Sequence, residues 1–390
     1  VDSDAGRIRR IRFASLTGAL ALFALLYAPQ AVLPQLATEF SVPPGTVALL
    51  ISASTLGLAL AAVPLGTLSE ALGRRRTMIA SLLIAEGIGL LLPWVHHFAL
   101  MVGARLVQGA AVAGLATVAV AYLADEAGGR HLGSTMGLYV AGTTIGGMSG
   151  RIVCGVVADF AGWSGGMLAV ALLAGVCTVA FVMLLPADSR RSRQPWKWRP
   201  LVEGLRSAAS TPVLYAPYLV AALGMGAFVT VYNVLGFRLI GPPLMVPPAL
   251  AALAFLAYAA GTVTSAVAGR VADRRGRSPV LLCGLSITVV GLLAMLSEQL
   301  VLILLGLVVF TGGFFMAHSV ASTWVGARAP ESARGQASSL YQFCYYSGSS
   351  VGGVAGGTAF AAWGWTGMTA LLCCWLAVAA GGVVLARGAT

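Results

Sequence analysis

Charge is what this chain has least of. Only 9% of its 390 residues are Asp, Glu, Lys or Arg, against roughly 25% in an average soluble domain. Hydrophobic residues make up 58% and glycine contributes 49 more. Too few polar side chains remain to coat a water-facing surface of this size, which excludes a soluble protein. The same apolar excess excludes disorder. Acids are scarcest: 13, against 24 Lys and Arg, for a net charge of +11. That surplus is divided among short loops between apolar runs and forms no continuous basic patch, so no nucleic-acid partner is expected. Disulfide and metal frameworks are missing too. Cys154, Cys177, Cys283, Cys344, Cys373 and Cys374 all lie inside apolar stretches, without metal-ligand spacing or loop placement, and read as small apolar residues. No phosphate loop and no nucleophile–base constellation is present, so neither a cofactor nor enzymatic chemistry is expected. Residues 1–12 are polar and basic, and the apolar run from Phe13 is too long for a signal core, so no cleaved signal peptide is expected.

What is present is a series of apolar runs. A bilayer span needs ~20 residues, and the sequence offers twelve: 13–34, 46–68, 77–95, 98–123, 133–157, 164–185, 213–236, 248–268, 278–296, 300–325, 336–360 and 365–386. Loops facing the cytoplasm collect Lys and Arg. Placing the N-terminus inside puts 21 of the 24 basic residues on that side, leaves Arg238 alone on the other, and sets Arg105 and Arg151 within spans. The expected fold is therefore all-α and integral to the membrane, with twelve transmembrane helices and both termini cytoplasmic. The polar stretch 187–212, with Arg190, Arg191, Arg193, Trp196, Lys197 and Trp198, separates a first bundle (1–186) from a second (213–390). It reads as a basic tether carrying an interfacial amphipathic piece.

The two bundles are copies. Gly66-Thr-Leu-Ser-Glu70-Ala-Leu-Gly73-Arg74 recurs as Gly269-Arg-Val-Ala-Asp273-Arg274-Arg-Gly276-Arg277, an offset of 203. Leu138-Tyr139 recurs as Leu340-Tyr341, and Trp163-Ser-Gly as Trp365-Thr-Gly, both offset by 202. Such self-similarity marks a duplicated six-helix unit. The pattern G-x-x-x-D-R-x-G-R between spans 2 and 3, and again between 8 and 9, resembles the signature of the major facilitator superfamily. Arg105-Leu-Val-Gln108-Gly109 in span 4 resembles the R-x-x-Q-G motif of that family's twelve-helix drug:proton antiporters. Tyr27, Gln30, Tyr232, Asn233, His318, Tyr341, Gln342 and Tyr345 are similar to a branch of bacterial efflux members. The resemblance implies two pseudo-symmetric six-helix bundles with a substrate site near the midplane. It also implies a bacterial inner-membrane location, and that helices 1, 2, 4, 5, 7, 8, 10 and 11 line the cavity while 3, 6, 9 and 12 are scaffold. A monomer is expected.

The repeated loop motif has a physical reading. Gly66 would let helix 2 approach a neighbour, and Gly73 would make the tight turn. The acid and the arginines would form an inter-helix latch that differs between inward- and outward-open states, with Asp125 or Glu126 as partners for Arg74 or Arg75. The first copy departs from the pattern, with Glu70 for Asp and Ala71 for Arg. The second copy, with Asp273, Arg274 and Arg277, is complete. Helix 5 carries Gly142, Gly146, Gly147, Gly150 and Gly155, and helix 11 carries Gly348, Gly352, Gly353, Gly356 and Gly357. Small residues at this spacing allow backbone-to-backbone packing.

Ionisable residues inside a span are functional candidates, because a charge there costs ~2.5–3.5 kcal/mol on insertion scales. Arg105 and Arg151 are expected near one level, with Tyr27 and Gln30 beside them. Glu86 is mid-span on helix 3, a scaffold helix by the resemblance. His318 titrates near neutrality when unperturbed and is a candidate proton carrier. Tyr232, Asn233, Tyr258, Tyr341, Gln342 and Tyr345 are candidates for a polar and aromatic lining. No Asp or Glu lies mid-span in any helix expected to line the cavity. An electropositive cavity follows, suited to an anionic or neutral amphipathic small molecule, since Arg presents a planar fork to carboxylate or phosphate. The expected activity is export of small organic compounds by proton antiport. Uptake or exchange of an organic or inorganic anion is the alternative within the same fold.

Overall fold

The computed structural model describes residues 4–188 and 198–388. Arg190, Arg191, Arg193, Trp196 and Lys197, part of the expected tether, lie outside that range. The described chain is helical throughout, without a strand. Its membrane-length segments are α1 (Asp4–Tyr27), α2 (Leu49–Leu72), α3 (Arg74–Leu91) and α4 (Phe98–Glu126). A long helix, Gly128–Leu184, breaks at Gly162 into α5 and α6. Next come α7 (Pro212–Ile240), α8 (Pro248–Arg275), α9 (Arg277–Ala294) and α10 (Leu300–Arg328). A second long helix, Arg334–Gly388, breaks at Gly364 into α11 and α12. Ten apolar helices among the described residues thus supply twelve crossing segments.

The breaks have a local cause. Gly162 and Gly364 hold φ of +69° and +66°, a left-handed region that costs any side-chain-bearing residue. Each stands immediately before the tryptophan of the repeated Trp-Ser/Thr-Gly triplet. Gly73 and Gly276 turn α2 into α3 and α8 into α9 at φ +97° and +86°. The tight turn read from Gly73 is therefore present in both copies.

By contact the chain divides into two units, Val1–Leu36 with Ala53–Trp196, and Ala37–Ser52 with Lys197–Thr390. Each unit is built on a glycine seam. In the first, α5 lies on α1: a Cβ at Gly142 would come 2.9 Å from the Leu16 carbonyl, one at Gly146 2.5 Å from the Leu20 carbonyl, and one at Gly150 2.7 Å from Ala24 Cα. In the second, α11 lies on α7, with Gly348 against Ala222, Gly352 against Gly226 and Gly356 against Thr230. The three glycines and the three partners of one seam map onto those of the other by a single offset of 206. In lipid, where apolar surface alone does not drive helices together, such close van der Waals contact holds them. Outward positions are Leu, Val and Phe, including Phe160 and Leu385, each 78% exposed. That is an aggregation hazard in water but the correct face for acyl chains.

Two local differences from the sequence reading have physical reasons. The first helix begins before the expected start at residue 13, and residues 7–12 already form its first turns. Arg7 pairs with Glu126, Arg10 donates to the Met183 carbonyl and Arg12 to Ser134 Oγ. The amphipathic piece of the tether is the helix Trp198–Ala209, which packs on α11 rather than lying wholly on lipid. Ala208 is fully buried, and Gly204 lies against Gln336.

Candidate functional site

In the first unit the site begins with a proline. Pro29 has no N–H, so the carbonyl of Leu25, which an unbroken helix would pair with residue 29, loses its donor. The chain tightens there into a 3₁₀ turn, Ala28–Val32. Arg105, from α4, supplies the missing donors: its guanidinium bonds the carbonyls of Leu25 (3.0 Å) and Leu26, and the Gln108 side-chain oxygen. Gln108 in turn donates to the Ala85 carbonyl at 2.9 Å, so the R-x-x-Q pair ties α1, α3 and α4 together. The group is 1% exposed and borders a cavity of about 10 Å³, also lined by Pro29, Gly89 and Met167. That is room for about one water.

Arg151, on α5, is the second buried cation, also 1% exposed. Its Nε donates to the Gln30 oxygen at 2.6 Å and Nη1 to the Gly147 carbonyl at 2.6 Å. Its guanidinium carbon stands 4.4 Å from the centre of the Tyr27 ring, where the ring's negative face stabilises a cation. Four residues expected near one level, Arg105, Arg151, Tyr27 and Gln30, are thus brought onto one stretch of α1 around its kink. Glu86 is buried on α3, apart from this group. Its carboxyl faces α6, where a Cβ on Gly175 would come 3.3 Å from Oε1. Thr178 is a polar neighbour, without standard hydrogen-bond geometry among the described residues.

The second unit offers an aromatic cluster instead. The Tyr232 hydroxyl meets Thr311 Oγ1 at 2.7 Å, and its ring contacts Phe228 and Tyr258 at centroid distances of 4.9 and 4.8 Å. Phe228 stacks on Phe314, and Phe314 on His318. His318 Nδ1 is 2.9 Å from the Tyr341 hydroxyl, and its ring lies 4.7 Å from that of Tyr345. Asn233 is buried one position along α7. Gln342 is the exception: the helical rotation that buries Tyr341 turns it outward, exposed and off the cluster. Sequence reasoning misses Phe228, Phe314 and Thr311, because such residues in an apolar span carry no distinguishing signal.

At the loop motif the first unit forms the expected charge contact, Arg74 with Asp125. Glu126 is committed to Arg7. Arg75 bonds the Leu185 carbonyl, and its backbone N–H donates to Asp188 at 3.1 Å. Nothing in the sequence marks Asp188, which sits at the start of the tether. Gly66 does not make the expected close approach: a Cβ there would find only Thr117 Oγ1, at 4.0 Å. The α2–α4 crossing is made higher up, by Gly57 against Leu106 and Gly109 against Ser54. Glu70, Asp273 and Arg274 are exposed, with no ion pair among the described residues. Asp273 and Arg277 line a pocket beside the end of α10.

A model of the Major Facilitator Superfamily matches residues 14–257 and 237–388. The chain belongs to that superfamily. Among its relatives are the uncharacterised MFS-type transporter YybF of Bacillus subtilis (strain 168), 34% identical over 95% of this chain and 92% of that one, and the inner membrane transport protein YnfM of Escherichia coli (strain K12), 39% identical over 95% and 88%. The same fold is found in a bacterial homologue of the human lysosomal transporter Spinster, with a TM-score of 0.83, 16% identity and 97% of each chain covered. The nucleoside transporter NupG shares it at a TM-score of 0.78 and 11% identity, over 98% of this chain and 99% of that one. This superfamily member is accordingly a multi-pass membrane transporter of a small molecule and not an enzyme.

Proposed function

We propose that the chain exports small organic compounds, anionic or neutral and amphipathic, by proton antiport with alternating access to an electropositive cavity. The supporting observation is the chemistry around Arg105 and Arg151. The acceptors that hold both guanidiniums include the carbonyls of Leu25, Leu26 and Gly147 and the amides of Gln108 and Gln30. These named acceptors are neutral dipoles, and an anion brought beside two guanidiniums in a low-dielectric interior is attracted strongly. The aromatic cluster around Tyr232 and His318 is suited to an apolar body. Glu86 and His318 are the proposed proton-carrying groups. The bias of basic residues supports cytoplasmic termini, and the name of the Escherichia coli relative supports the inner membrane. We propose a monomer as the working unit.

Proteoliposomes carrying an internal pH dye, exposed to a panel of anionic, neutral and cationic amphipathic solutes, test this reading. Outward flux of an anionic or neutral solute should acidify the side the solute leaves. Glu86→Gln, nearly isosteric, should retain solute binding but lose proton coupling if Glu86 is the carrier, and the corresponding His318→Asn result decides for the other group. Anion uptake with no proton movement would overturn the antiport reading in favour of exchange.

A further inference from the structure

The two copies of the loop motif differ in a way that points to a ligand. In the first unit, Arg74 opens α3 and pairs with Asp125 near the end of α4. A second carboxylate, Asp188, accepts the N–H of Arg75 at the start of the same helix. The offset of 203 that relates the motifs carries Arg74 to Arg277, Ala121 to Trp324 and Asp125 to Arg328. The acid of the first unit has become an arginine in the second. Arg277 and Arg328 line one pocket of about 400 Å³ together with Ser278, Trp324 and the single acid Asp273. Trp324 is only 5% exposed, and its indole N–H has no acceptor among the described residues. A buried N–H left without an acceptor is costly. Two cations beside one carboxylate leave the pocket positive, and α9, 18 residues long, begins there and adds the positive end of its dipole.

We propose that this pocket binds a phosphate-bearing anion, either the headgroup of an anionic phospholipid or a free phosphate. Phosphate oxygens can take the guanidinium forks of Arg277 and Arg328 in bidentate geometry, doing for two cations what the carboxylate of Asp125 does for Arg74 in the first unit. The pocket lies at the α8–α9 turn, among the loops where the basic residues of the sequence collect, and basic pockets at helix ends are recurrent headgroup sites. Asp273 at the rim opposes the anion and limits its affinity.

The test is thermal unfolding of the purified full chain in neutral detergent, titrated with phosphatidylglycerol, with phosphatidylcholine, and with inorganic phosphate. Phosphatidylglycerol should raise the unfolding temperature where phosphatidylcholine does not. An equal effect of inorganic phosphate identifies the free anion as sufficient, and its absence identifies the lipid. Arg328→Asp, which rebuilds the first unit's ion pair with Arg277, should raise the half-saturating concentration about tenfold without lowering the unfolding temperature of the ligand-free protein. Arg334→Asp, a neighbouring cation outside the pocket, should leave the response intact. Unchanged binding in Arg328→Asp, or no response of the unaltered protein to either phosphate, overturns the assignment. Transport does not enter the readout, so the outcome is independent of the proposed antiport.

Discussion

A guanidinium inside a bilayer span is tolerable only where its donors meet acceptors, and Arg105 meets that condition by repairing a defect. Pro29 leaves the Leu25 carbonyl without its helical donor, and Arg105 reaches across from α4 to fill it. Arg105→Ala should therefore destabilise the first unit by on the order of 1–3 kcal/mol for each carbonyl left bare, seen as a lower unfolding temperature in detergent. Arg105→Lys should recover only part of that, because one ammonium lacks the planar fork that bonds the Leu25 and Leu26 carbonyls and Gln108 at once. A charge-only role predicts full recovery by Lys, so the comparison separates a helix tie from a bare charge. Arg105 stands out in the sequence because a charge in an apolar run is rare. The carbonyls it serves are not legible there, since they belong to a helix three spans earlier in the chain.

At the scale of elements, the glycine seams decide how closely α5 approaches α1 and α11 approaches α7. Overpacking a close contact costs about 1–3 kcal/mol when the surroundings can shift, and more when the obstacle is backbone. Gly356→Leu, which drives a side chain into Thr230, should sharply lower the yield of folded protein in a detergent-stability assay. Gly137 lies on the same helix as Gly142, but a Cβ there would meet nothing within 4 Å. Gly137→Ala should leave stability unchanged or raise it by roughly 0.4–1 kcal/mol through the unfolded state. Equal damage from both would mean that the seam is not what sets the packing. The glycines are visible in the sequence, but which of them touch backbone is not: Gly66, expected to be close, is open, while Gly57 and Gly109 are the ones in contact.

For the molecule as a whole, we propose that a change of state is latched at the repeated loop motif. We propose that the acid of the complete copy acts in that step. Asp273→Asn should reduce transport in proteoliposomes while leaving membrane insertion and thermal stability near those of the parent, since Asp273 is exposed and forms no ion pair among the described residues. Normal transport by Asp273→Asn would remove the second motif from gating. The first motif is already engaged through Arg74 and Asp125, despite its departures from the family pattern at Glu70 and Ala71.

Composition and periodicity on their own determined that the chain is a membrane protein, how many times it crosses and that it is a duplicated unit, while the superfamily was legible only through the resemblance of its motifs to a known family. These are one-dimensional properties: apolar length matched to bilayer thickness, basic residues sorted by loop, and motifs recurring at a fixed offset. Tertiary structure alone decided which partner each rare polar group has. It set Arg105 on the kink at Pro29, Arg151 on Gln30 and Tyr27, Asp188 on the start of α3, and Trp324 beside two arginines where the first unit has an acid. The physical reason is that hydrophobic sorting acts on each span by itself. A hydrogen bond or an ion pair exists only once two distant spans stand within about 3 Å of each other.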